Sequence, residues 1–285
     1  MKKRKKLLLI ILSVLILAAA LYVLIFADNK TLGTTHYTVS SQNLPKSFDG
    51  FTVVQVSDLH NDEFGEGNCQ LIDAITAAEP DIIVITGDLI DSYNTDVDIA
   101  REFIDSIVSI APVYYTTGNH EYRFPLTYEK FEKYMISAGV NVLRDKTAEI
   151  ELGGESITIA GVDDPFFSGI EKYGETEYFA DKLRGLMPDG GGFTLLLSHR
   201  PEIFETYCDI GFDLVLSGHA HGGQIRLPII GGILAPNQGF FPKYDEGLVQ
   251  RGGTVLIISR GLGNSSFPLR VNNPPELVVV TLEAK

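Results

Sequence analysis

Side chains that commonly bind metal ions occur in five short clusters, each directly after an apolar run that is typical of a buried strand. These clusters contain five of the six histidines of the chain. Carboxylate, amide and imidazole groups in combination suit Mn²⁺, Fe or Zn²⁺. Neither Cys69 nor Cys208 lies near a cluster, which excludes a thiolate site. The clusters are Asp58-Leu59-His60, Gly87-Asp88-Leu89-Ile90-Asp91, Gly118-Asn119-His120-Glu121, His199 and Gly218-His219-Ala220-His221.

The spacing within and between the clusters predicts one shared site. In an extended segment residues i and i+2 point the same way, so Asp58 and His60 can reach one centre, and so can His219 and His221. A single aspartate after a strand is ordinarily a helix cap, and a Gly-Asp or Gly-Asn pair is ordinary turn chemistry. Capping does not explain five such strand ends in one chain. Since ligands bind at the carboxyl ends of strands in α/β sheets, we expect the clusters to converge.

The elements that must position these clusters alternate between strands and helices. Helical patterns cover 68–78, 96–110, 127–138, 175–186 and a short stretch from Pro201, and a further alternating stretch at 35–39 predicts an edge strand. Short, β-branched apolar runs predict the other strands, at 51–56, 82–86, 113–117, 157–162, 194–197, 214–216, 254–258 and 277–282.

This alternation predicts an α/β fold. The early βαβ order indicates parallel pairing with helices outside, whereas 149–162, with a turn at Gly153-Gly154, reads as a hairpin. The outcome is a set of mixed sheets covered by helices, and the number of buried strands favours two packed sheets.

The motif series resembles the calcineurin-like metallophosphoesterase superfamily. It consists of Asp-x-His, Gly-Asp-x-x-Asp, Gly-Asn-His-Glu, a lone His and Gly-His-x-His, and it extends from about Phe51 to His221. The longer strings 217–228 and 259–263, with Pro274-Pro275-Glu276, are similar to its membrane-associated bacterial branch, which includes phosphodiesterases and hydrolases of a UDP-diacylglucosamine. An Arg-Arg export signal, found in some relatives, is absent. The resemblance implies a four-layer α/β/β/α sandwich of two mixed sheets flanked by helices.

The resemblance also implies two divalent metal ions and a set of ligands. Such a pair activates a bridging hydroxide and orients a phosphoryl group for in-line attack. The positive charge of two divalent ions exceeds the negative charge of two carboxylates and one hydroxide. The net charge of the centre is therefore slightly positive, although the chain is acidic. One ion would be held by Asp58, His60, Asp88 and His221, and the other by Asp88, Asn119, His199 and His219.

Residues beside the expected ligands are candidates for catalysis. His120 follows an expected ligand without being one itself, so it is available to donate a proton to the leaving oxygen. Asp91 resembles the family's carboxylate that orients this histidine; the alternative is a turn or helix cap. Further candidates, for binding a phosphate oxygen, are Arg226, Arg260 and Arg270.

The N-terminal segment predicts a membrane anchor. Five basic residues, Lys2 to Lys6, precede 21 uncharged residues, Leu7 to Ala27, with Ser13 as the one polar member. At 1.5 Å per residue this run makes a helix of roughly 31 Å, which matches a hydrocarbon core of about 30 Å. The alternative is a cleavable signal peptide, although the apolar region of such peptides is usually shorter. The positive-inside rule places residues 29–285, the expected catalytic domain, outside the cytoplasm.

Composition limits the other functions. The net charge of −14, and of −18 after residue 28, makes nucleic-acid binding improbable. The two cysteines lie in separate predicted helices, and two buried free thiols are the favoured reading.

The sequence thus predicts a single-pass, membrane-anchored dinuclear phosphoesterase acting on a phosphodiester or a phosphorylated lipid or envelope component. Two alternatives stay open. A cytoplasmic site would favour a pyrophosphate hydrolase of a nucleotide-linked lipid such as a UDP-diacylglucosamine. From another class, the chain could be a catalytically silent, metal-stabilised binding module at the cell surface.

Overall fold

The computed structural model describes residues 2–93, 95–169, 176–264 and 269–285, with the side chains of 2, 20, 21, 23–28 and 176 excepted. Sixteen strands lie within these residues. They are β1 (Gly33–Ser41), β2 (Thr52–Val56), β3 (Ile82–Thr86), β4 (Val113–Thr116), β5 (Asn141–Val142), β6 (Lys146–Leu152), β7 (Glu155–Gly161), β8 (Thr194–Leu197), β9 (Leu214–Ser217), β10 (Arg226–Leu227), β11 (Gly231–Gly232), β12 (Leu234–Ala235), β13 (Gly239–Phe240), β14 (Gly247–Arg251), β15 (Thr254–Ile258) and β16 (Glu276–Ala284).

The same residues form seven α-helices. They are α1 (Lys2–Lys30), α2 (Cys69–Ala77), α3 (Val97–Ile107), α4 (Asn119–Arg123), α5 (Pro125–Ser137), α6 (Thr176–Arg184) and α7 (Phe204–Ile210).

The strands form two six-stranded sheets and two small hairpins. The first sheet has the order β1-β16-β2-β3-β4-β5, and its β2, β3, β4 and β5 are parallel. The second has the order β14-β15-β9-β8-β7-β6, with a parallel centre and antiparallel pairs at both edges. The predicted hairpin is confirmed as β6 and β7. The hairpins β10-β11 and β12-β13, and the edge strand β14, were not predicted, because their strands are short or half exposed.

Alternating side chains of the central strands explain the layers. In β2, Val53 packs into a core shared by both sheets, whereas Val54 packs on the opposite face against α2, α3 and α5. In β8, Leu195 enters the shared core and Leu196 packs against α6 and α7. The two sheets therefore pack face to face with helices on both outer faces, as the sequence predicts.

The predicted helices are confirmed with shifted ends. Asp96 caps α3 by accepting a hydrogen bond from the backbone N–H of Asp98 at 3.1 Å, so the helix begins one residue after the predicted start. The predicted start of the helix at 175–186 lies outside the described residues. Both cysteines are free thiols, but Cys69 is exposed and Cys208 half-buried, so the expectation that both are buried is wrong.

The N-terminal helix α1 continues past the predicted boundary at residue 28 and ends at Lys30. The predicted membrane span lies within α1, and part of it falls on side chains outside the described set. Among the described residues, no helix combines the length and the apolar character required of a membrane span.

Candidate metal centre

Several of the predicted ligands sit on unusual backbone turns at the carboxyl ends of strands. Left-handed φ angles occur at Asp58 (52°), His60 (49°), Asp88 (50°), His219 (68°) and His221 (48°). This conformation is uncommon outside glycine and costs free energy, and such strain concentrates at functional sites. The turns aim the side chains from β2, β3 and β9 into one buried region.

The first group of convergent side chains is Asp58, His60 and His221, whose potential ligand atoms all lie within 4.8 Å of one another. The Nε2 atoms of His60 and His221 are 3.3 Å apart, and Nε2 of His221 is 3.3 Å from Oδ1 of Asp58. All three residues are buried.

The second group is Asp88, His199 and His219, again with ligand atoms within 4.8 Å. Nε2 of His199 lies 3.2 Å from Oδ2 of Asp88 and 3.2 Å from Nδ1 of His219. The same Oδ2 of Asp88 lies 3.6 Å from Nε2 of His60 in the first group. Asp88 therefore faces both groups.

An acceptor oxygen on the far side of each of two rings orients the ring's free lone pair toward the centre. Nδ1 of His199 lies 2.8 Å from the carbonyl oxygen of Thr86, which can only accept. Nδ1 of His60 lies 3.2 Å from Oδ2 of Asp91. With the proton on Nδ1 in each ring, Nε2 is left as a metal-type ligand atom, the arrangement common in metal sites.

The electrostatics of the centre favour cations. Burial alone would lower the pKa of His199, but the carboxylates of Asp88 and Asp58 outweigh it and raise that pKa to about 10. Burial raises the pKa of Asp88, yet the neighbouring histidines, His199 first, hold it well below its usual value. The two ionised carboxylates therefore draw positive charge into the centre, which divalent ions can supply.

Asn119, at the first position of α4, carries an unsatisfied polar atom. Its side-chain oxygen Oδ1 is buried and accepts no hydrogen bond within the described residues. A buried acceptor without a partner costs about 1–3 kcal/mol. An amide oxygen in this position fits a metal ligand, so the donor set as a whole fits the ions that the resemblance implies.

His120 lies beside the centre with a defined ring orientation. Its Nδ1 accepts a hydrogen bond from the backbone N–H of Ser92 at 3.0 Å, so the ring's own proton belongs on Nε2. Burial lowers its pKa to about 4, which keeps the ring neutral. Asp91 was predicted to orient His120, but its Oδ2 is 3.7 Å from Nδ1 of His120 and closer, at 3.2 Å, to Nδ1 of His60.

Glu121 holds the two central turns together, a role that the sequence analysis did not assign. Its carboxylate accepts from the backbone N–H groups of Asp88 at 3.1 Å, Leu89 at 2.9 Å and Gly118 at 2.8 Å. Burial, with the nearby charge of Asp88, raises its pKa to about 7. Glu121 thereby joins the turn after β3 to the start of α4.

A cavity of about 130 Å³ opens onto the centre. Its volume is that of about four water molecules, which suits a phosphoryl group. The lining residues that were predicted for the site are Asp88, Asn119, His120, His219 and His221. The others are Arg123, Phe166, Arg200, Pro236 and Asn237.

The arginines at this cavity differ from the predicted ones. Arg226 pairs with Asp245 at 2.7 Å and Glu246 at 2.5 Å, and Arg260 pairs with Glu276 at 3.1 Å. Arg270 is buried and donates to the carbonyl oxygen of Gly263 at 2.6 Å. None of these three is among the residues described at the cavity, although Nη2 of Arg270 lies 3.4 Å from Nδ1 of His221, behind that ring.

The arginines that line the cavity are Arg200 and Arg123, whereas Arg226 and Arg260 were predicted to bind the substrate. Arg200 is buried, makes two bonds to Asp164 at 2.5 and 3.0 Å, and stacks over the ring of Phe166 at 4.8 Å. Its neighbour in sequence is His199, and Arg123 follows His120 by one helical turn of α4. Proximity to a predicted ligand was the available signal for both.

Metal-type ligands at the carboxyl ends of strands in two packed sheets define a class of metal-dependent hydrolases. The family model "Calcineurin-like phosphoesterase" matches residues 51–223. This chain belongs to the calcineurin-like phosphoesterase family, and it is a metal-dependent phosphoesterase of the fold that uses two divalent ions.

Three relatives extend the comparison beyond the matched residues. The metallophosphoesterase YkuE of Bacillus subtilis is 34% identical over 88% of this chain and 85% of its own length. A metallophosphoesterase of Aquifex aeolicus is 30% identical over 87% of this chain and 91% of its own. The "Transmembrane protein with metallophosphoesterase domain" of Danio rerio is 28% identical over 85% of this chain and 55% of its own.

Proposed function

We propose that this protein hydrolyses a phosphodiester or a phosphorylated lipid or envelope component at a dinuclear metal centre. The observation that carries the proposal is the position of Asp88, whose Oδ2 lies 3.6 Å from the first group at His60 and 3.2 Å from the second at His199. A carboxylate between two ligand groups fits a bridging ligand. The first ion would be held by Asp58, His60, Asp88 and His221, and the second by Asp88, Asn119, His199 and His219.

Two divalent ions, when bound, supply Lewis-acid chemistry, since they activate a water molecule and offset charge on the phosphoryl oxygens. Nitrogen and oxygen donors of this kind suit Mn²⁺, Fe and Zn²⁺. The residues of the chain would hold and orient these ions, and Asp91 lies behind His60, with its Oδ2 3.2 Å from Nδ1 of that ring.

His120 and two arginines act on the substrate itself. The Nε2–H of the neutral His120 ring offers a hydrogen bond to the leaving oxygen, because Nδ1 already accepts the Ser92 N–H at 3.0 Å. Arg123 and Arg200 line the cavity and offset the negative charge of a phosphoryl group. Asp164 keeps the guanidinium of Arg200 in a fixed orientation through two hydrogen bonds.

We also infer that α1 holds the protein at a membrane, with the catalytic part of the chain outside the cytoplasm. Its support is the uncharged run from Leu7 to Ala27 behind five basic residues. The apolar side chains described between Leu7 and Leu17 are all exposed to about half or more. The relative in Danio rerio carries a transmembrane protein's name.

The test is metal-dependent hydrolysis by the full chain. Chelated protein should regain turnover of an aryl phosphodiester, an aryl monoester or a phosphoester lipid on addition of Mn²⁺, with close to two ions bound per chain. Binding of two ions without turnover of any phosphoester would contradict the proposal and favour the silent surface binding module. A chelated protein that keeps full activity would contradict the metal assignment.

A further inference from the structure

The two small hairpins after the last ligand cluster carry an exposed apolar surface, which we call the hairpin surface. Ile229 is completely exposed, Phe240 is 73% exposed and Phe241 is 65% exposed. An exposed apolar patch of this kind in a soluble domain usually marks an interaction surface. The members of the hairpin surface are Leu227, Ile229, Ile230, Leu234, Phe240 and Phe241.

The sequence of this segment lacks charge over an unusual length. Residues 227–242 are sixteen successive residues without Asp, Glu, Lys or Arg, in a chain with 21% charged residues. A charged protein partner would find no charged side chain in this segment with which to form an ion pair. A bilayer interior penalises buried charge strongly, so an uncharged apolar surface suits it.

The backbone presents these side chains at a conformational cost. Ile229 has φ of 74° and Phe241 has φ of 57°, and a β-branched residue is a true outlier in the left-handed region. Glycine or asparagine would be the ordinary choice at such a turn. Large apolar side chains at these two positions therefore point to a use outside the fold.

The bases of the hairpins are held firmly, so the apolar side chains are presented outward. Asp245 accepts from Nη1 of Arg226 at 2.7 Å and from the backbone N–H of Gly232 at 2.8 Å. Gln238 donates to the carbonyl oxygen of Tyr244 at 2.7 Å and accepts from its N–H at 2.9 Å. Exposure of the hairpin surface is thus a property of an ordered segment.

The hairpin surface is connected to the end of the apolar helix α1 through one short segment. Asn29 in the last turn of α1 donates to the carbonyl oxygen of Arg270 at 3.2 Å and accepts from its N–H at 3.1 Å. Val271, the next residue, forms a parallel bridge with Ile225, directly before β10. Two apolar elements, the helix and the hairpins, therefore start from one place on the molecule.

The second hairpin also forms part of the cavity. Between β12 and β13, Pro236 and Asn237 line the cavity, and Oδ1 of Asn237 lies 3.2 Å from Nε2 of His219. Phe240 follows on the return strand of the same hairpin. One hairpin therefore links the apolar surface to the wall of the candidate metal centre.

We propose that the hairpin surface inserts into the surface of a lipid bilayer and holds the cavity wall at Asn237 beside it. This contact is separate from α1. It deepens the proposed function, on which its consequence for substrate rests: a phosphoester carried by a lipid headgroup meets the cavity where the lipid lies.

The chain contains no tryptophan, so one introduced tryptophan reports on one place. Phe240→Trp is the reporter, and Phe241→Trp serves as a second variant if the first folds poorly. The matched control is Tyr178→Trp on α6, because Tyr178 is 61% exposed and lies outside the hairpin surface. Leu12→Trp reports insertion of α1 independently. Each full-length variant is reconstituted into phosphatidylcholine vesicles with and without brominated phosphatidylcholine, a neutral lipid that excludes simple charge attraction.

In brominated vesicles Phe240→Trp should be quenched and shifted to the blue, whereas Tyr178→Trp should not change. Adding Ile229→Asp and Ile230→Asp to the reporter should abolish most of the quenching, because charge resists transfer into the bilayer. Adding Asp88→Asn should leave the quenching in place even where hydrolysis is lost. The quenching therefore tests insertion of the hairpin surface into the bilayer independently of whether the protein is a phosphoesterase for the proposed substrates.

Unquenched emission from Phe240→Trp, with Leu12→Trp quenched, would overturn the proposal. A blue shift that depends on protein concentration and not on lipid would overturn it in favour of a second copy of the chain. For the consequence on substrate, the ratio of hydrolysis of a vesicle-borne phosphoester to that of a soluble aryl phosphodiester should fall about tenfold in the Ile229→Asp/Ile230→Asp variant, or about 1.4 kcal/mol. An unchanged ratio would overturn that part.

Discussion

Oδ2 of Asp88 lies 3.2 Å from Nε2 of His199, which follows β8 in the other sheet. The same oxygen reaches toward His60, so we expect Asp88→Asn to cost more activity than any other single ligand change. The neutral amide has lost the charge that serves both ions. Metal content, measured on purified protein by inductively coupled plasma mass spectrometry, should fall to one ion or none.

Asp73→Asn, at an exposed position of α2, is the matched control and should keep both ions. Two bound ions and near-normal turnover in Asp88→Asn would show that this carboxylate does not bridge.

Gly118 permits the close approach of α4 to the bridging residue. A Cβ at this position would collide with the carboxylate of Asp88 and lie 2.6 Å from its backbone nitrogen. Gly118→Ala should therefore displace Asp88 and reduce metal content and turnover, with circular dichroism unchanged. Gly253→Ala, where a Cβ meets nothing within 4 Å, should behave as wild type. Equal behaviour of the two variants would mean that the turn after β3 yields without moving the ligand.

Adjacent residues on α4 separate metal binding from action on the substrate. Asn119→Ala should lower occupancy of the second ion, because its buried Oδ1 is an assigned ligand. His120→Ala should keep both ions and lose activity by about 10²-fold or more, the usual range for a positioned acid or base.

The leaving group discriminates between these roles. Assistance from His120 matters most for a basic leaving oxygen, so His120→Ala should lose far more rate on an alkyl phosphoester than on an aryl one. Asn119→Ala should damage both comparably. Equal losses for His120→Ala with metals retained would instead indicate that the ring binds the phosphoryl group, and loss of metal would place it among the ligands.

Arg200 and Asp164 form a buried ion pair, with side chains that are 2% and 0% exposed. Asp164→Ala removes both hydrogen bonds of Asp164 from a buried guanidinium and leaves it, among carboxylates, only the longer 3.6 Å contact with Glu202, which should lower the free energy of unfolding by about 3–5 kcal/mol. Urea denaturation in one detergent provides the measurement. The double change Asp164→Leu with Arg200→Met should recover most of the loss in stability while turnover stays low. Failure of the double variant to recover stability would show that packing, rather than the unpaired charge, determines the cost.

Topology is tested on intact cells or spheroplasts. The basic residues before Leu7 predict that residues after about 29 lie outside the cytoplasm, so added protease should degrade them. Degradation only after lysis would reverse the topology and favour hydrolysis of a nucleotide-linked lipid in the cytoplasm. A cytoplasmic marker protein, which should be degraded only after lysis, serves as the control for membrane integrity.

Much of the fold follows from local patterns. The strands around the centre are short, mostly apolar and almost entirely buried, because both faces of each sheet are covered, and this makes them visible in sequence. The hairpins β10-β11 and β12-β13 cannot be predicted from such patterns, since a strand of two residues shows no periodicity. Their contribution to the cavity, through Asn237, depends on where the segment folds back and not on its composition.

The metal-type residues and the place where they meet could be predicted from the sequence, because strand ends in an α/β sheet converge whatever the remaining packing. The partners of these residues could not be predicted, because they depend on the tertiary structure. Asp91 is closer to His60 than to His120, and Arg200 rather than Arg226 reaches the cavity. An ion pair depends on the distance between atoms of remote segments. Asp164 therefore pairs with Arg200, and Asp245 with Arg226, only once both sheets and their loops have packed.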